Sequence, residues 1–328
     1  MHVLMIGAAG MVGRKLTARL VKDGTLAGKT ITKLTLADVV APDPVAGVAC
    51  ETMAVDISDP AVAPRLIAGK PEIIFHLAAI VSGEAEQNFD KGYAINVDGT
   101  RFLFETIRQA NMASGGAYKP RVVFTSSIAV FGAPFHDFID DEFLSAPLTS
   151  YGTQKAIGEL LLTDYTRKGF FDGIGIRLPT ICVRPGKPNA AASGFFSNII
   201  REPLAGMEAV LPVGEDVVHW HASPRSAVGF LIHAAQIDGA TVGPRRNLSM
   251  PGLAATVGEQ IEALRKVAGD KAVALIRRVP DPQIISIVAN WPRKLNPQRA
   301  LALGFKAEST FEEIIRVHIA DELGGKIG

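Results

Sequence analysis

The sequence predicts an α/β protein, a doubly wound parallel sheet with a smaller mixed C-terminal lobe, on three observations. Short apolar runs alternate with longer amphipathic ones through the first half of the chain. Those runs are hydrophobic nearly throughout, as strands covered on both faces are. A glycine-rich turn joins the first run to the first amphipathic stretch.

The candidate strands are HVLMIGA, KLTLADV, CETMAVD, EIIFHLA, RVVFTSS and GIGIRLP. Helical patterns such as MVGRKLTARLVKDG and NVDGTRFLFETIRQAN separate several of them. After about residue 180 the pattern loosens, and ICVRPGKPNAAASG reads as a loop. FFSNIIREPLAG, RSAVGFLIHAAQ, VGEQIEALRKVAG and TFEEIIRVHIADEL read as helices, with RRNLSMP a short strand candidate between them. The expected division is a sheet domain over 1–180 and a substrate-binding lobe over 181–328, unless a later strand returns to the first domain.

Composition narrows the function classes. The chain has 328 residues, 48% apolar and 20% charged, with a net charge of +1, and lacks the basic excess of a nucleic-acid binder. No cationic segment precedes a long apolar core at the start, and no run approaches the ~20 apolar residues of a membrane span. Cys50 and Cys182 lie far apart without metal-ligand spacing. Buried free thiols are the expected reading, which fits a reducing cytoplasm. Repeats and low-complexity tracts are absent.

The turn after the first strand is GAAGMVG, with Gly7, Gly10 and Gly13 at regular spacing. That pattern permits a tight turn, close approach of a pyrophosphate and close packing of helix on sheet. The helix start at Met11 and Val12 offers unpaired N–H groups and a positive dipole end to an anion. A structural turn is the bland account of such a loop. Here the strand–turn–helix order is right, and Asp38 ends the second strand, in position to accept hydrogen bonds from an adenosine ribose. Its carboxylate would repel a 2′-phosphate, so NAD rather than NADP is the expected cofactor. Arg14 is the opposing signal, unless it merely faces solvent.

The spacing G-x-x-G-x-x-G, together with SYGTQK at 150–155, resembles the extended short-chain dehydrogenase/reductase family, which includes sugar-nucleotide epimerases and dehydratases. The likeness covers nearly the whole chain and implies a Rossmann-type sheet. By that resemblance Asp56 and Ile57 in TMAVDIS contact the adenine. Leu77, Ala78 and Ala79 in HLAA form a backbone wall for the cofactor, and Asn96 in NVDGT orders the active-site region at the cofactor. TSSIAVFG places Ser127 as the catalytic hydroxyl and Ser126 as its neighbour, with the reverse assignment open. Pro179 in RLPTICV meets the nicotinamide.

Side-chain chemistry fits those roles. A free phenol, with a pKa of ~10, is a poor base near neutrality. An ammonium one helical turn away, as Lys155 is from Tyr151, favours the phenolate and is expected to lower that pKa. Lys155 can also hold the nicotinamide ribose, while Ser127 donates to the substrate oxygen. Taken alone, Tyr-x-x-x-Lys is more often a solvated helix pair and a strand-end serine a cap. Their joint occurrence behind a dinucleotide loop reverses that weighting.

Two departures from the sugar-nucleotide branch bear on the substrate. Thr180 stands where relatives usually carry an asparagine against the nucleotide diphosphate, and VVHWHASPRSAVGF replaces the usual start of the second lobe. The chain is similar instead to the branch that oxidises four-carbon sugar acids, which implies NAD-dependent oxidation of D-erythronate at C2. Arg184 and Arg225 are candidates to pair with the carboxylate, against surface solvation, and His221 to line the pocket. Trp220 is better read as packing, and His76 as a satisfied core histidine. His219 and His221 are expected on opposite faces of a strand, which argues against a metal site; no metal is expected. The alternatives are an epimerase or dehydratase with tightly held NAD, and a non-catalytic redox sensor. The resemblance implies a homodimer through GTRFLFETIRQA and AIGELLLTDY, which core packing would explain equally well.

Overall fold

A computed structural model describes residues 1–186 and 193–327, so part of the loop expected around 181–194 lies outside the described residues. Along the chain run β1 (His2–Ile6), α1 (Met11–Asp23), β2 (Lys33–Asp38), β3 (Ala49–Ala54), β4 (Ile73–His76), α2 (Thr100–Ala113), β5 (Arg121–Ser127), α3 (Ser150–Arg167) and β6 (Asp172–Leu178). Then follow β7 (Thr180–Ile181), α4 (Gly194–Leu204), β8 (Val218–Ala222), α5 (Pro224–Gln236), β9 (Asn247–Ser249), β10 (Leu253–Thr256), α6 (Val257–Val273) and α7 (Phe311–Glu322). All six strands expected in the first half are present.

Seven strands form one sheet in the order β9-β6-β5-β4-β1-β2-β3. Every pairing within it is parallel. Chain order reverses between β1 and β4, and that reversal opens a crevice beyond their carboxyl ends. Edge strand β3 mixes exposed and half-buried positions and has no fully buried residue, so its faces are not covered as expected. Elsewhere the runs are buried as expected.

The two faces of the sheet have separate cores. Leu16 and Leu20 of α1 and Phe230, Leu231 and Ala234 of α5 pack over one face; Leu103, Phe104 and Ile107 of α2 and Leu162 of α3 pack over the other. Strand β9 and helix α5 both return from beyond residue 180, so the sheet and its covering layer draw on residues outside 1–180. A separate core joins α4, α6 and α7 through Phe196, Ile200, Leu264 and Ile315. Beside it β7, β8 and β10 form a small sheet. The stretch read as one helix before β5 begins as a π-helix over residues 93–99 and becomes α-helical at Thr100. No helix among the described residues is long and apolar enough to cross a membrane.

Helix α3 lies unusually near the sheet. A Cβ built on Gly158 would sit 2.7 Å from Cζ of Phe124 on β5, a buried ring with little room to yield. Gly158→Ala is therefore expected to cost about 1–3 kcal/mol, read as a lower urea midpoint at unchanged slope. An unaltered midpoint would show that α3 and β5 do not depend on this close approach.

Candidate active site

Gly7 turns the chain out of β1 at φ +93°, where a Cβ would meet Ala78 N at 2.6 Å. Glycine is required there twice over, for the backbone angle and for the approach to the chain leaving β4. A Cβ on Gly13 would meet the Ala8 Cα at 2.7 Å, so α1 starts tight against the turn. Gly10 caps α1 without a side-chain hydrogen bond, and a Cβ there would touch only the Gly7 carbonyl, at 3.4 Å. The first N–H groups of α1, at Met11, Val12 and Gly13, thus have no side-chain cap to satisfy them. That cradle fits a pyrophosphate.

Asp38 closes the cradle at the end of β2. Its Oδ2 accepts from Ala9 N at 2.8 Å and its Oδ1 from Val39 N at 2.7 Å, which orients the carboxylate and leaves lone pairs for ribose hydroxyls. Arg14 donates to the Ala9 carbonyl at 2.7 Å across the loop. Asp56 accepts from the Ser58 backbone and hydroxyl at 2.9 and 2.7 Å, while Ile57 is buried beneath. Leu77 and Ala78 both donate to the Ile6 carbonyl, so the HLAA backbone, continuing to Ala79, stands directly across from Gly7. These residues fit the adenosine half of a dinucleotide.

Asn96 ties two segments together. It is 2% exposed, accepts from Ile80 N at 3.0 Å, and donates to Ile80 O at 3.2 Å and to Gln154 Oε1 at 2.7 Å. With both amide donors engaged it ties the loop after β4 to α3, a positioning role. The π-helical turn around it sets that geometry, as such turns do near functional sites.

The two serines differ in their partners. Ser126 is 3% exposed and its hydroxyl donates to Glu159 Oε1 at 2.6 Å. Ser127 is half-buried at the end of β5, its hydroxyl accepting from Ala129 N at 3.1 Å and near enough to the Tyr151 phenol to pull its pKa down. Helix α3 begins at a Thr149 cap, so Tyr151 and Lys155 fall in its first two turns and on one side. Lys155, 2% exposed, donates to the Thr125 carbonyl at 2.9 Å, with its Nζ 5.8 Å from the centre of the Tyr151 ring.

Here the expected acidification of the phenol is reversed. Burial pushes Tyr151 up to about 12, with the Ser127 hydroxyl pulling weakly the other way. Burial pushes Lys155 down to about 8, opposed by the carboxylate of Glu159. The ammonium is aimed at the Thr125 carbonyl, and desolvation outweighs what remains of its pull on the phenol. One turn further, Glu159 is held by Arg177 of β6 through Nε at 2.9 Å and Nη2 at 2.7 Å. Neither was singled out in the sequence, although Glu159 continues the Tyr151–Lys155 stripe at helical spacing.

The candidate substrate residues are divided. Pro179 and Thr180 follow β6 at the same edge as Ser127, since Ser127 pairs with Leu178. The half-buried Arg184 donates from Nη2 to Ser193 at 2.7 Å, and burial lowers its pKa. His221 does not line a pocket: it is 0% exposed, packed against Phe196 and Phe311. Arg225 sits half-exposed in the first turn of α5, paired with Asp321 at 2.5 Å, and is not brought to the other residues. Trp220 packs in a cluster with Ile128 and Leu295. His76 is 1% exposed, with Nε2 bonded to Thr100 at 2.9 Å. Both cysteines are free, Cys182 buried and Cys50 half-buried. The two histidines of β8 share one face rather than opposite ones, their rings 5.3 Å apart, because alternate strand residues point the same way. No group of three or more metal-ligating side chains occurs among the described residues.

Comparison with known proteins gives one consistent picture. The profile of the NAD dependent epimerase/dehydratase family matches residues 3–222. A D-erythronate dehydrogenase of Cupriavidus necator is 45% identical over 98% of both chains. Another, of Haemophilus influenzae, is 41% identical over 97% of this chain and 99% of its own. The crystal structure of a nucleoside-diphosphate-sugar epimerase from Agrobacterium tumefaciens is similar at TM-score 0.97 and 69% identity, covering 100% of this chain and 96% of that one.

The buried ammonium has a consequence for stability. The Lys155 pKa of about 8 lies below its ordinary value of 10.5, so the folded state favours the neutral amine. Its contribution is unfavourable below about pH 8 and eases as pH rises through 8 toward 10.5. Lys155→Met is expected to raise the melting temperature at neutral pH and to flatten that alkaline gain, measured by calorimetry on either side of pH 8. A lower melting temperature would mean that the bond to Thr125 outweighs the cost of burial.

Proposed function

The chain belongs to the NAD dependent epimerase/dehydratase family, and from that membership we propose that it oxidises D-erythronate at C2 to 2-oxo-tetronate, releasing NADH in each cycle. The observation that carries this reading is near-full-length identity above 40% to two relatives named for that activity, each 41% or more. The Ser127–Tyr151–Lys155 arrangement supports it, because a secondary alcohol must lose its hydroxyl proton as hydride leaves the same carbon.

In this reading the turn at Gly7, Gly10 and Gly13 and the N–H groups of Met11 and Val12 hold the pyrophosphate. Asp38 takes the adenosine ribose, Asp56 and Ile57 the adenine, the Leu77–Ala79 backbone one side of the cofactor, and Pro179 the nicotinamide. NAD, when bound, supplies the hydride acceptor and a positive charge beside the phenol. Ser127 donates to the substrate oxygen, and the Tyr151 phenolate takes its proton. Lys155 hydrogen-bonds the nicotinamide ribose. Arg184 receives the carboxylate of the sugar acid, and Thr180 lies along its carbon chain.

The enzyme works as a homodimer in the cytoplasm on this reading. Leu160 on the outer side of α3 and Met112 at the end of α2, 72% and 60% exposed, are apolar side chains that a second copy would cover. Light scattering tests the assembly. A second reading, an epimerase that keeps its NAD, is favoured by the name of the Agrobacterium protein alone. Steady NADH release from D-erythronate with no nucleotide sugar present decides between them. The redox-sensor alternative is disfavoured because hydroxyl, phenol and amine are all in place.

Tyr151→Phe is expected to lower kcat by about a thousandfold with NAD affinity nearly unchanged; undiminished turnover would remove the phenol from the mechanism. The phenol's elevated pKa, about 12, also sets a sign. Oxidation should accelerate with rising pH as phenolate accumulates, and a flat profile from neutral to alkaline pH would exclude a phenolate base.

A further inference from the structure

The hydroxyl of Thr180 has a direction fixed from behind. Thr180 Oγ1 lies 2.7 Å from Nε2 of His219, and the other ring nitrogen, Nδ1, lies 2.9 Å from the Pro292 carbonyl oxygen. A peptide carbonyl can only accept, so the proton of the neutral ring is on Nδ1. Nε2 then carries the lone pair, and the threonine hydroxyl must be the donor in that bond. Its single hydrogen is spent, and what remains on Oγ1 is lone pairs.

The ring has little freedom to do otherwise. His219 is 2% exposed, stacked parallel on Phe196 at 5.1 Å and flanked by Trp291 at 5.3 Å. Burial lowers its pKa to about 4, so it stays neutral through the physiological range and Nε2 keeps its lone pair. The charged and titratable groups that face it are few: the ring of His221 at 5.3 Å is itself held neutral by burial. Thr180, by contrast, is only half-buried, two residues past Leu178, the partner of Ser127 across the sheet.

We propose that His219 is a positioning residue that converts Thr180 into an obligate hydrogen-bond acceptor beside the reacting carbon, so that the site selects a substrate carrying a second, non-reacting hydroxyl there. This inference rests on the dehydrogenase reading and adds to it the reason a polyhydroxy acid is chosen over a simple 2-hydroxy acid. A donor on the substrate completes the arrangement, whereas a carboxylate or phosphate oxygen at the same place meets lone pairs and is repelled. A substrate with hydrogen in place of that hydroxyl leaves Oγ1 facing no donor.

The test compares D-erythronate with 2,4-dihydroxybutanoate, which lacks the C3 hydroxyl, by kcat/KM with NAD. The wild-type enzyme is expected to prefer erythronate by about tenfold, chiefly through KM. Thr180→Val should collapse that ratio toward one, Thr180→Ser should largely restore it, and His219→Phe should reduce it by freeing the hydroxyl to rotate. An equal loss on both acids in Thr180→Val, or a ratio untouched by His219→Phe, overturns the proposal. Because the whole dehydrogenase reading fails separately if the wild type turns over neither acid, nitrogen–proton NMR of the His219 ring supplies an arm independent of activity. An Nε2 that stays unprotonated, with the proton on Nδ1, as pH falls well below 6.5 supports the acceptor assignment; a proton on Nε2 at neutral pH overturns it.

Discussion

The structure depends on one close contact, that between helix α3 and strand β5. Gly158 has no side chain, so the helix descends onto Phe124 far enough for the Lys155 ammonium to reach the Thr125 carbonyl. Two further bonds fix it laterally, Glu159 to Arg177 and to Ser126. The reacting groups inherit their positions from that docking. Tyr151 meets Ser127 because the helix carrying one and the strand carrying the other are locked at this distance.

Such docking has an energetic cost. Lys155 is a nearly fully buried amine, and its surroundings favour the neutral form. A buried charge of this kind is retained where function needs it, at the expense of stability. The buried Glu159–Arg177 pair is better viewed as a device for register than as a source of stability, since desolvating two charges offsets much of their attraction. The site therefore holds an ammonium whose desolvation is only partly offset by its bond to Thr125 and the carboxylate of Glu159.

Chemistry and specificity come from different layers. On the proposed function, the cofactor and proton-handling groups lie at the large sheet's carboxyl edge, where strand order reverses between β1 and β4. The groups assigned above to the substrate on the proposed function come from the chain beyond β6, with the small sheet and the segment around Pro292 behind them.

Much of this was legible in the chain itself. Periodicity revealed the six strands of the first half, and the GAAGMVG turn with Asp38 marked the dinucleotide cradle, because strand burial and phosphate binding are local demands that leave local patterns. The Tyr151–Lys155 pair was visible for the same reason, being one helical turn. What depended on side chains meeting across the fold was not visible. Sequence spacing could not show that Ser126 meets Glu159 while Ser127 accepts from Ala129. Nor could it place Arg225 on Asp321, seat His221 in an apolar core, or show Asn96 as a tie between two segments. The sign of the shift on the Tyr151 phenol was likewise a tertiary outcome, because desolvation is a property of everything packed around a group and not of its neighbours along the chain.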